Sequence, residues 1–147
     1  MMYTGLLHSH NLLRWLVLIM MILAVAFAVY GWSAKRPFTK KDNLAGLLLT
    51  ILVDLQLVIG LILYFFVSPF TKAAFADFGA AMKNSVLRFY AVEHLLMMLI
   101  ALILIHIGRV KSKKALTDVK KHRMAAIFYG IAFILILAGI PWDRPLL

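Results

Sequence analysis

The 147-residue chain has no cysteine, which removes disulfides, thiolate metal sites, Cys-ligated iron–sulfur clusters and covalently attached c-type haem. Histidine, methionine and carboxylate are the metal ligands left. Acidic residues are also scarce, with 6 Asp and Glu against 16 Lys and Arg. Charged residues make up only 15% of the chain and hydrophobic residues 64%, against roughly 45 to 50% apolar in an ordinary soluble domain. A soluble globule does not fit that composition. A membrane span takes about 20 predominantly apolar residues, so four spans use roughly 80 and leave only short connections, with no separate soluble domain.

Four apolar runs have the required length: residues 12–32, 44–67, 89–107 and 124–140. The first has Arg14 near its start and small residues at Ala24, Ala26 and Ala28, as a signal peptide would. Its length and the Lys35-Arg36 pair that follows it mark it instead as a span with a stop-transfer flank. Pro141, with fixed φ and no N–H, ends the last run. The fold class is therefore all-α integral membrane, one domain over residues 1–147 built as an up-down-up-down four-helix bundle. In the second loop, Ser68-Pro69 has the form of an N-cap followed by proline at the first helical position. Phe70, Ala74, Phe78 and Met82 then recur at helical spacing, which predicts a short interfacial helix that covers the bundle end or lids a ligand there. Trp15, Tyr64, Tyr90 and Trp142 at one boundary, and Tyr30 and Trp32 at the other, read as interfacial anchors.

Basic residues are unevenly placed. Eleven of the 16 flank the first and third connections: Lys35, Arg36, Lys40 and Lys41, then Arg109, Lys111, Lys113, Lys114, Lys120, Lys121 and Arg123. Only Arg14, Lys72, Lys83, Arg88 and Arg144 fall on the other side. The positive-inside rule then places both termini and the second loop outside. The charge reads as a topology signal and a contact for anionic lipid headgroups, and no nucleic-acid partner is expected.

Polar groups inside or beside the spans are the functional candidates, because charge in hydrocarbon is costly and usually faces the bundle interior or water. Asp54 is the deepest, about 15 Å from the start of its run at 1.5 Å per residue. It is either part of a proton path or a structural carboxyl hydrogen-bonded to another helix, with Thr50 one turn away. Gln56 lies roughly 200° around the helix from Asp54, so the two do not share a site. His94, preceded by Glu93, is the best ligand candidate: one ring nitrogen can bind haem iron while the other donates to a carbonyl or carboxylate. Its alternative role is an interhelical hydrogen bond. His8 and His10 precede the first run, and His10 shares a face with Arg14, whose guanidinium suits a haem propionate. Arg88 offers a second such group. His94 and His106 are about 120° apart around their helix, which argues against two stacked haems. His122, in a Lys-Lys-His-Arg run, reads as a solvated flank.

The segments His8-Ser-His-Asn-Leu-Leu-Arg-Trp15, Tyr90-Ala-Val-Glu-His94, Ile107-Gly-Arg109 and Pro141-Trp-Asp-Arg-Pro145 resemble small four-span bacterial membrane proteins labelled cytochrome b. The likeness covers nearly the whole chain. It implies a b-type haem held between helices in a bacterial cytoplasmic membrane and electron transfer beside quinone, with His94 and one of His8 or His10 at the ligand positions. The expectation is thus an electron carrier with its haem near the outer face, moving protons through Glu93 or Asp54 and partnered by other membrane subunits or a second copy. The alternative is a haem-free accessory subunit that stabilises a larger membrane complex. A transporter is disfavoured because the chain has neither an internal repeat nor a Gly/Pro-broken pair of helices.

Overall fold

Each apolar run forms a helix, and each of the four helices reaches past the run that predicted it. In the computed structural model, which describes residues 1–143, α1 is Met2–Ser33 and α2 is Lys40–Ile62, continued by a π-type turn at Leu63–Val67. The second connection holds α3 (Pro69–Ala76), α4 (Phe78–Lys83) and α5 (Ser85–Arg88). A second π-type turn, Phe89–Glu93, leads into α6 (His94–Lys114), and α7 is Asp118–Gly139. Four stretches, Met2–Ser33, Lys40–Val67, Ser85–Lys114 and Asp118–Gly139, are long and apolar enough to cross a bilayer. The basic Arg144 and the Pro145 of the terminal motif lie outside the described residues.

The longer helices change two readings. His8 and His10 are not on a segment before the first span but on α1 itself. All seven basic residues assigned to the third connection sit on the last turns of α6 and the first turns of α7, leaving residues 115–117 as the connection. Thr117 caps α7 by accepting from the Lys120 N–H at 3.2 Å, and Lys111, Lys113 and Lys114 meet the negative end of the α6 dipole.

The first connection is equally tight. After α1, Lys35 takes φ 50°, Arg36 N–H donates to Gly31 O (3.2 Å) and Lys35 N–H to Trp32 O (3.4 Å), which together form a Schellman cap. Arg36 then grips Asp42 with both terminal nitrogens, and Asp42 reaches back to the Thr39 N–H at 2.8 Å. That hydrogen-bonded carboxylate pushes the Arg36 guanidinium further above its ordinary pKa. From α6, Arg109 donates to the Asn43 carbonyl at 3.1 Å, closing the bundle at this end.

The four long helices contact one another in the cyclic order α1, α2, α6, α7, with α2 and α6 the least closely packed neighbours. Small residues set the spacing: Ala24, Ala28, Ala45, Ala125, Ala126 and Ala132 are all buried. At Gly108 an added Cβ would stand 2.5 Å from Phe128 Cβ, so only glycine allows α6 and α7 to come this close. Met21, Leu49, Ile105 and His122 are the largest side chains buried completely.

The second connection differs from the single interfacial helix expected. It breaks at Asp77 (φ −147°) and Asn84 (φ −100°), because each side chain caps a new helix: Asp77 accepts from Ala80 N–H at 2.9 Å, and Asn84 from Val86 and Leu87 N–H at 3.0 and 3.1 Å. Thr71, Ala74 and Ala81 are buried there, while Phe75 and Phe78 stack on each other and stay exposed. Those exposed rings suit the interface of a bilayer.

Candidate functional site

At the basic end, small residues bring the helices together. Toward the other end, where α1 begins and α7 ends, the inward-facing side chains are larger, mostly apolar with a few polar groups among them, and they surround a cavity of about 480 Å³. That is within the range of cofactor and small-molecule sites. Its walls come from the first half of α1, the second half of α2, the first half of α6 and the end of α7, with Ser68, Phe70 and Thr71 of the second connection across its mouth. Both π-type turns lie at this level. A π turn inserts one extra residue, breaks the helical phase and recurs at functional sites. Tyr64, on the first turn, donates to the Ala91 carbonyl on the second at 2.6 Å, so the two irregular turns brace each other.

Two imidazoles face this cavity. His10 and His94 have ring centres 6.5 Å apart with planes at 67°. His94 Nδ1 is 2.7 Å from the Gly139 carbonyl. A carbonyl only accepts, so Nδ1 carries the proton, and in the neutral ring Nε2 keeps its lone pair. Nε2 makes no hydrogen bond among the described residues. Gly139 closes α7, where backbone carbonyls lack helical partners, so the helix end supplies the anchor. His10 Nδ1 is buried with no hydrogen bond, and so is Gln56 Oε1, whose amide NH₂ donates to the His10 carbonyl at 3.0 Å. A Cβ on Gly60 would come within 3.2 Å of the His10 ring, so glycine on α2 makes room for it.

One metal bonded to two imidazoles at about 2 Å would hold their centres roughly 6 Å apart, close to what His10 and His94 show. Among the described residues no group of three or more His, Cys, Asp or Glu could hold a metal ion. Two histidines alone suit an iron whose other ligands come from a macrocycle better than they suit a bare ion. Arg14, one turn from His10 on the same face, is buried and lines the cavity, with Nη1 3.4 Å from Asn11 Oδ1.

The remaining predicted residues lie elsewhere. His8 is exposed and does not line the cavity. Arg88 and Glu93 pair with each other at 2.7 Å, their side chains 42% exposed, and Arg88 also donates to Met82 O; neither reaches the cavity. Asp54 does bond to another helix, but through His106 Nε2 at 2.7 Å, while Thr50 bonds back to the Gly46 and Leu47 carbonyls of its own helix. The pair is on the outer surface of the bundle, not in its interior, with the side chains of His106 and Asp54 46% and 51% exposed.

His122 overturns its reading as a solvated flank. It is fully buried, its Nε2 is 3.2 Å from the Arg36 carbonyl, and its ring lies against Phe38 at 5.1 Å. Its charged neighbours point outward while the helical period turns the imidazole inward, onto Gly31. Tyr64 and Tyr90, expected as interfacial anchors, line the cavity, and Tyr90 stacks on Phe70 at 4.7 Å. Compared with known proteins, the chain matches no family model, no curated protein and no solved structure.

Proposed function

We propose that the chain is a membrane electron-transfer protein whose cavity holds one b-type haem between His10 and His94. The observation that carries this reading is the pair of imidazoles that line the cavity with ring centres 6.5 Å apart, with His94 Nδ1 fixed on the Gly139 carbonyl. A ligating histidine commonly donates its other N–H in this way, which sets its tautomer and orientation. His10 and His94 would hold the haem iron, and Arg14 would pair with a propionate. The haem would supply a centre that takes up and gives back one electron. The chain's own part is to hold two neutral imidazoles in a largely apolar site and to exclude water with Phe70 and Tyr90. Electron exchange with membrane quinone belongs to the same reading. Glu93, held by Arg88 outside the cavity walls, would be the group beside which quinone protons are exchanged.

By the distribution of basic residues, both termini and the cavity would lie on the outer side of a bacterial cytoplasmic membrane. The competing reading is a haem-free subunit of a larger membrane complex, favoured by the Asp54–His106 pair on the outer surface. An absorption spectrum of gently purified protein made with ample haem, before and after dithionite, separates the two. The electron-carrier reading expects a Soret band and a low-spin spectrum. His94→Ala and His10→Ala should each abolish haem retention or leave high-spin iron, with His8→Ala and His106→Ala unchanged. Wild-type protein without a Soret band would sink it.

A further inference from the structure

Asp54 and His106 join α2 to α6 within stretches long and apolar enough to cross a bilayer, and both side chains are about half exposed, so in a bilayer they would face lipid tails. One hydrogen bond does not satisfy them. Asp54 Oδ2 and His106 Nδ1 have no partner among the described residues. In hydrocarbon the pair is cheapest with no net charge. It has two such forms: carboxylate with imidazolium, and carboxylic acid with imidazole accepting at Nε2. In both forms Nδ1 carries a hydrogen and Oδ2 is an acceptor. The outward face of the pair is therefore one donor beside one acceptor, wherever the shared proton resides. Lipid tails can satisfy neither.

We propose that this face is where a second copy of the chain docks. A closed dimer of copies inserted in the same direction, each using the same face, has a two-fold axis along the membrane normal, and that operation keeps depth and exchanges left with right. Asp54 of one copy then meets His106 of the other, and His106 meets Asp54. The donor and acceptor of each copy fill the acceptor and donor of its mate, and a closed ring of four side chains results. Polar groups that hydrogen-bond across helices are a recognised source of association in membranes. Exposed Ile51 and Leu55 on α2, with Ile103 and Ile107 on α6, surround the pair as the apolar part of the contact. The proposal does not depend on the haem.

The absence of native cysteine allows a direct test. In native membranes that hold both Val58→Cys copies and Ile103→Cys copies, each change one turn from the pair and at the same depth, oxidation should link residue 58 of one copy to residue 103 of the other, whereas Ile134→Cys on the exposed face of α7 should form no such link. In detergent, Asp54→Leu with His106→Leu should raise the dimer dissociation constant at least tenfold. The exchange Asp54→His with His106→Asp restores the same donor and acceptor and should keep the dimer, while Asp54→His alone should lose it. The proposal is overturned by a monomer mass with no cross-link at residue 103. A dimer that survives the double leucine change, or a cross-link at 103 to a different chain, overturns it equally.

Discussion

Gly31 leaves no room for a side chain, because a Cβ there would stand 2.3 Å from the His122 ring. Gly31→Ala should therefore cost about 1 to 3 kcal/mol by overpacking. His122→Ala should cost a similar amount by removing a buried ring and stranding the Arg36 carbonyl. The double change should cost clearly less than the sum, since the smaller residue at 122 admits the methyl group at 31. Unfolding measured for all four members of the cycle would show this coupling, and additive costs would contradict the contact. The burial of His122 was readable in part, since His122, Ala125, Ala126 and Tyr129 follow one helical face, and all are buried. Lys120, Lys121 and Arg123 concealed it. The Asp54–His106 bond, by contrast, joins residues 52 positions apart, and no periodicity within one helix carries that information.

At the scale of elements, hydropathy located all four spanning helices and misplaced their ends. α2, α6 and α7 run on through charged turns where a hydrophobicity scan stops, and α1 begins ten residues before its run, through the polar but uncharged His8, Ser9, His10 and Asn11. The extension of α1 matters most for the site, because it makes His10 helical and lets it face His94. The π-type turns left no mark on hydrophobic spacing, so the phase of His94 relative to the preceding turns could not be read from sequence. The cap after α1 carries its own expectation. Lys35 has a left-handed backbone, which strains any residue with a Cβ, so Lys35→Gly should stabilise the protein by about 1 kcal/mol. Thermal unfolding in detergent would check it, and a loss of stability would mean that the lysine side chain contributes more than its strain costs.

For the whole molecule, the two ends have different packing. One end is closed by small residues, a buried histidine and the Arg36–Asp42 pair; the other is open around the cavity. In the proposed topology, argued from the positive-inside rule, the closed end would face the cytoplasm. Single cysteines in place of Lys40 and Lys113 should resist an impermeant thiol reagent in intact cells, and one in place of Lys72 should react. The reverse pattern would move the cavity to the cytoplasmic face. The bond from His94 to Gly139 has a further consequence for how this site tolerates mutation. Its acceptor is a backbone carbonyl, which every amino acid possesses, so no substitution at position 139 deletes it. What position 139 does restrict is bulk, since a Cβ there would displace the end of Met98 and stand 3.3 Å from Met97 Cβ, which cannot swing away. A saturation scan should find His94 sensitive to chemistry and Gly139 sensitive to size alone, so the partner that sets the imidazole's tautomer would score as a mere packing position.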